Sequence, residues 1–99
     1  MIQEKRIMVI ASYRDPGIIE RTAANFRRLW IDLDRLCYRR SGENCIIEMT
    51  VSSDNSDNLA YSIYNLSKMI DVERVSILDS DDNILLTYSG GEVLGEGLH

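Results

Sequence analysis

Apolar residues recur along this chain in two rhythms, and the changes between them mark its elements. "RIMVIAS" (6–12) is a short run of β-branched and other apolar residues, which predicts a buried strand. After the break at "RDPG", Ile19, Thr22/Ala23, Phe26 and Leu29/Trp30 return at helical spacing and predict one apolar helix face. Asp15 is placed to cap that helix, and Pro16 suits its first turn, where a missing N–H is no loss. "DLDRLCYRR" (32–40) alternates and predicts a second strand, "SGEN" is turn chemistry, and "CIIEMTVS" (45–52) predicts a third strand. "SDNSDN" breaks the pattern and supplies caps. Leu59, Ile63, Leu66 and Ile70 then fall at i, i+4, i+7 and i+11, a second helix, and "VERVSILD" (72–79) reads as a fourth strand.

The order β-α-β-β-α-β predicts an α+β, ferredoxin-like fold: a four-stranded antiparallel sheet with both helices on one face. Right-handed crossovers set the sheet order as 4-1-3-2, which leaves the second strand on an edge. Residues 1–80 make this domain. Residues 81–99 are expected as a C-terminal extension, with "NILLTYS" (83–89) a candidate fifth strand and "GGEVLGEGLH" a frayed tail.

The hairpin can be taken to single residues. If Arg40 faces Cys45 across the turn, then Tyr38 faces Ile47, Leu36 faces Met49 and Cys37 faces Glu48. Leu36, Tyr38, Cys45, Ile47 and Met49 then share the helix-facing side, and Arg35, Cys37, Arg39 and Glu48 the open side. The two cysteines point to different faces, which excludes a disulfide between them in this register. A zinc site is not expected, because the one histidine is the last residue.

Composition narrows the classes of function. The 99 residues suffice for a single core, and no apolar run approaches the length of a membrane span. "MIQEKRIMVI" lacks the apolar length and small-residue cleavage site of a secretory signal, so a cytoplasmic protein is expected. A net charge of −5 argues against nucleic acid, although Arg27, Arg28, Arg35, Arg39 and Arg40 cluster in sequence. The predicted central strands also carry no aromatics on which bases could stack. Arg14 in "SYRDPG" lacks the glycine-rich loop with which acylphosphatases of this size and fold hold phosphate. No nucleophile–base set or metal-ligand set exists, so the chain is expected not to be an enzyme. One feature asks for a partner: "IMVI" (7–10) is apolar on both faces of a central strand, while helices cover only one. Met8 and Ile10 are thus candidates for a partner-binding face.

At this level the chain resembles an ACT domain, and specifically that of the small regulatory subunit of acetohydroxyacid (acetolactate) synthase in its short, single-domain form. The resemblance spans about residues 5–79 and rests on "RIMVIASYRDPGIIERTAANFRRLWIDLDRL", "IIEMTVSS" and "NLSKMIDVERVSILD". Its sharpest part is Leu66-Ser67-Lys68-Met69-Ile70-Asp71-Val72, close to that family's Leu-x-Lys-Leu-Ile-Asp-Val run. The resemblance implies a non-catalytic subunit of branched-chain amino acid biosynthesis that activates a large catalytic subunit. Thiamine diphosphate, magnesium and FAD would belong to that partner, with no cofactor in this chain. It further implies a homodimer joined through second-strand edges (Leu33, Arg35, Cys37, Arg39) and an effector site for a branched-chain amino acid between chains. The site positions would be Arg14, Asp15, Gly17, Ile18, Trp30 and Asp32. Gly17 keeps the family residue. Arg14 and Asp32 stand where asparagines are usual, and Trp30 where a glycine precedes the second strand, so feedback by valine, leucine or isoleucine is expected to be weak or absent. The alternative is a free-standing ACT domain sensing a small amino acid for another enzyme or regulator.

Overall fold

The first strand lies at the centre of the sheet and organises everything around it. The computed structural model describes residues 1–96. Along it run β1 (Gln3–Ser12), α1 (Ile18–Arg27), β2 (Asp32–Ser41), β3 (Asn44–Ser53), α2 (Ser56–Ser67), β4 (Val72–Leu78), β5 (Ile84–Ser89) and β6 (Glu92–Glu96). The strands form one antiparallel sheet in the order β2-β3-β1-β4-β5-β6. The expected 4-1-3-2 order is its core, but the sheet has six strands rather than four.

Alternation along β1 and β3 puts Ile7, Val9, Ala11, Cys45, Ile47, Met49 and Val51 on the helix-facing side, all buried. Ile18 and Phe26 of α1 and Leu59, Ile63 and Leu66 of α2 close the core from above. Burying each large aliphatic side chain stabilises the fold by about 2 kcal/mol. The second helix stops sooner than its spacing suggests. Asp71 adopts φ +71° beyond it, and Ile70, expected on the apolar face, is 81% exposed. Asn55 caps α2, its Oδ1 accepting the Asn58 N–H at 3.0 Å.

The β2–β3 register agrees residue for residue with the alternation: Tyr38 opposite Ile47, Leu36 opposite Met49, Cys37 opposite Glu48. The loop between them is Gly42-Glu43, with Gly42 at φ +63°, where glycine relieves a two-residue turn. A bulge at Asp34 then interrupts the ladder, a feature alternation alone does not reveal. Cys45 is buried and Cys37 exposed on the opposite face.

α1 ends in a way its sequence does not advertise. The Ile31 N–H donates to the Phe26 carbonyl at 3.1 Å and the Trp30 N–H to the Arg27 carbonyl at 3.1 Å. This is a Schellman ending, whose left-handed position normally falls to glycine. Trp30 takes it with φ +59°, and its side chain, expected on the apolar face, is 91% exposed. Phe26 and Ile31 supply the buried apolar pair that accompanies the motif.

The expected frayed tail is instead β6 as far as Glu96; residues 97–99 lie outside the described residues. Gly90 and Gly91, at φ +58° and +85°, make the two-residue turn between β5 and β6. That turn docks on the end of α2: the Gly90 N–H donates to the Ser67 carbonyl and the Gly91 N–H to Ser67 Oγ, each at 3.1 Å. A Cβ at Gly91 would meet Lys68 Cγ at 3.0 Å and Tyr64 Cε1 at 3.3 Å. Before β5, the Asn83 N–H above all, with that of Asp81, holds the Asp79 carboxyl below its ordinary pKa.

Two stability predictions follow from these turns. Gly91→Ala should cost about 2 kcal/mol in urea unfolding, because left-handed strain and the Lys68 contact act together. An unchanged midpoint would mean that the hairpin is not anchored there. Trp30→Gly should stabilise by about 1 kcal/mol, whereas Trp30→Ala, which removes the same indole but keeps a Cβ, should gain nothing. Equal behaviour of the two would place the cost elsewhere.

Candidate functional site

The six candidate effector residues fall into two separate groups in the single chain. Arg14, Asp15, Gly17 and Ile18 lie where β1 runs into α1. That end of the sheet is marked by Ser12 opposite Asn44 and Asn44 opposite Ser41. Trp30 and Asp32 lie at the other end, where Asp32 faces Ser52 and Ser52 faces Glu4. There they line a shallow cleft with Ile2, Ser53 and Asp54. The indole of Trp30 fills no pocket within the chain.

The turn at the start of α1 is occupied by its own carboxylate. Asp15 does not cap the helix as expected. Gly17 holds the N-cap position, without a side-chain cap, and Asp15 sits two residues earlier, 8% exposed. Its Oδ1 accepts the Gly17 N–H at 3.0 Å and Arg21 Nη1 at 3.0 Å, and its Oδ2 pairs with Arg21 Nη2. Arg21 also donates to the Ile70 carbonyl at 3.2 Å, tying the turn to the segment after α2. The backbone N–H that would greet a ligand carboxylate is thus already bonded to an anion. Arg14 is exposed, and Ile18 is buried in the core. Gly17 has φ −100°, and a Cβ there would meet nothing closer than 3.7 Å, so neither backbone nor packing demands glycine.

The arginines that cluster in sequence do not form one patch. Arg27 and Arg28 are exposed at the end of α1, and Arg35 and Arg39 lie on the open face of β2. Arg40 lies on the other side, its guanidinium 3.9 Å from the centre of the Tyr13 ring. Arg39 is 3.7 Å from Glu48, which faces Cys37 across the hairpin.

The open face itself centres on Met8 and Ile10, both half-buried. Met8 lies between Glu48 and Ser76, and Ile10 between Ile46 and Arg74. Arg6 flanks this strip, bonded to the Asp79 carbonyl at 3.1 Å and paired with Asp82. Ser76 and Thr87 share a buried hydroxyl–hydroxyl bond of 3.0 Å. These buried hydroxyls beneath the open face were not anticipated; Ser76 and Thr87 each stand in an alternating strand run, which is the only trace of them in the sequence. Among the described residues, no group of histidine, cysteine or carboxylate side chains is placed to hold a metal ion.

No family model matches the chain, and no curated protein matches it. Solved structures do. The crystal structure of the ACT domain from the GTP pyrophosphokinase of Chlorobium tepidum superposes with a TM-score of 0.68 at 13% identity, covering 79% of this chain and all of that domain. The solution structure of the same domain gives 0.64 at 13% identity over 80% of this chain and 89% of that one. Identity this low speaks for architecture alone: this chain has the fold of an ACT domain, extended by further strands.

Proposed function

We propose that this chain is the regulatory small subunit of an acetolactate synthase. In this reading it activates a thiamine-dependent catalytic subunit and gives weak or no feedback by branched-chain amino acids. The ACT-domain fold supports a regulatory role in general. The narrower assignment rests on the sequence run from Leu66 to Val75, which lies at the end of α2 and the start of β4.

The observation that carries the reading is the self-occupied turn. An amino-acid effector brings a carboxylate, and a helix start can receive it through free N–H groups. Here the Gly17 N–H is committed to Asp15, and Arg21 neutralises the same carboxylate. A ligand would have to break a charge-assisted contact at a group that is 8% exposed. Asp32, on the β2 of a second copy, would add repulsion to an incoming carboxylate. The turn therefore serves as a helix start rather than as a receptor, and regulation runs through protein contacts.

Those contacts would use two surfaces. The unpaired edge of β2 joins two copies, since an exposed edge strand is a template for another. The half-buried strip at Met8 and Ile10 docks the catalytic subunit, because both helices lie on the opposite face. The thiamine diphosphate, magnesium and FAD of the reaction stay with that partner.

Three outcomes are expected. The chain should co-purify with the thiamine-dependent large subunit of an acetolactate synthase from its own source and raise its acetolactate production several-fold. Failure of both would favour the free-standing sensor instead. Titration calorimetry with valine, leucine and isoleucine should give no micromolar binding, and a micromolar dissociation constant for any of them would overturn the self-occupied turn. Met8→Glu should weaken activation while far-ultraviolet dichroism and dimer mass stay as in the parent; full activation by the folded variant would remove this face from the interface.

A further inference from the structure

The dimer edge proposed above has a register that the single chain already restricts. Gly42-Glu43 is a two-residue loop, so Ser41 and Asn44 exchange the hydrogen bond that closes the turn. In an antiparallel ladder, hydrogen-bonded and non-bonded pairs alternate. Counting back from Ser41, the backbone groups of Arg39, Cys37 and Arg35 point toward β3. Those of Arg40, Tyr38 and Leu36 point outward, to the free edge. A second copy related by a twofold axis must present the same outward groups. The axis therefore passes through a residue rather than between two: Leu36, Cys37, Tyr38 or Arg39.

The bulge and the charges choose among these. The regular part of β2 runs from Arg35 to Ser41, because the bulge at Asp34 ends it. An axis at Leu36 keeps only the stretch from Arg35 to Cys37 in regular pairing and sets Tyr38 against the bulge. An axis at Cys37 places Arg35 opposite Arg39 of the second copy, twice, and an axis at Arg39 places Arg39 opposite itself. Like charges directly opposite destabilise a strand pair. An axis at Tyr38 uses the whole regular segment and sets no cation against a cation. Arg39 of the second copy then faces Cys37, whose other neighbour across the ladder is Glu48. A carboxylate and a cation thus flank the small thiol. Tyr38, 40% exposed in the single chain, meets its own symmetry mate.

We propose that two copies pair through β2 with Tyr38 on the twofold axis, so that Cys37 of each chain stands opposite Arg39 of the other. The inference rests on the dimeric reading above and not on the identity of any catalytic partner.

Cysteine cross-linking reads this register directly. Opposed residues of a non-bonded pair have Cα atoms about 4.5 Å apart, within reach of a disulfide. Diagonal neighbours lie about 7–8 Å apart, beyond it. Cys45 is buried, so Cys37 is the reporter. Under diamide, the parent chain and Arg35→Cys should stay free of intermolecular disulfides, while Arg39→Cys should give a covalent dimer linked between positions 37 and 39 by peptide mapping. Arg39 is 57% exposed, so the substitution leaves the core untouched. A Cys37–Cys37 link in the parent would move the axis to Cys37, and a 35–37 link in Arg35→Cys would move it to Leu36; either overturns the proposal. Sedimentation separates the two levels. A dimer with the wrong link refutes the register alone, and a monomer at micromolar concentration refutes the β2 dimer itself.

Discussion

The rest of the structure hangs on the pairing of β1 along both of its edges. A central strand must have every N–H and C=O satisfied by neighbours, since water does not reach them. β1 meets this with β3 along its whole length on one side and with β4 from Arg6 to Ala11 on the other. Its helix-facing residues Ile7, Val9 and Ala11 are fully buried as a result; α1 leaves β1 and passes over β3 to reach β2, and α2 crosses β1 to join β3 to β4. Where β1 ends, the Ser12 N–H donates to the Asp71 carbonyl at 2.8 Å, so the last turn before β4 is held against the start of the β1–α1 turn. The position of Asp15, and with it the state of the candidate site, is inherited from this arrangement.

Most of that arrangement was legible because it depends on period. Alternation in "DLDRLCYRR" and "CIIEMTVS" sets the hairpin register, since a slip of one residue would turn every apolar side chain outward. What periodicity cannot express was missed. The bulge at Asp34 brings Leu33 onto the face of Leu36, three residues away, an odd spacing that simple alternation does not accommodate. Ile70 keeps the helical spacing of Leu59, Ile63 and Leu66, but the chain turns at Asp71 before it can be buried. The last strand does carry a local signal: "SGGE" is a glycine pair at hairpin spacing between "ILLTYS" and "EVLGE", and two consecutive positive-φ residues call for such a pair. Its anchorage on Ser67 is a tertiary contact, and no local pattern carries it.

The candidate site shows the same division. Its residues were identified by position, yet their state depends on one side chain folding back. Asp followed by Pro and Gly is a sequence that bonds its own backbone two residues on, because the aspartate oxygen imitates a carbonyl in the turn. Reading Asp15 as a helix cap chose the other common use of the same residue. A capping aspartate would take the N–H of Gly17 or Ile18, the second and third residues after it. In the observed turn the Gly17 N–H is taken as well, and the carboxylate also holds Arg21. The left-handed Trp30 belongs to the same pattern. Where a glycine would keep the approach open, this chain accepts backbone strain and an exposed indole.

The extra hairpin bears on how many copies can assemble. A sheet with two long free edges can grow head to tail without closing. Without β5 and β6, this sheet would end in β2 on one side and in β4 on the other, the latter seven residues long. The hairpin pairs β4 and leaves in its place β6, five residues whose ladder with β5 is broken by a bulge at Thr87/Tyr88. The long edge that stays open is β2, and an edge that pairs with its own copy is used up on forming the pair. For the β2 dimer proposed above, the contact of Ser67 with the Gly90-Gly91 turn, far from any candidate ligand site, would thereby favour closure over a growing ribbon.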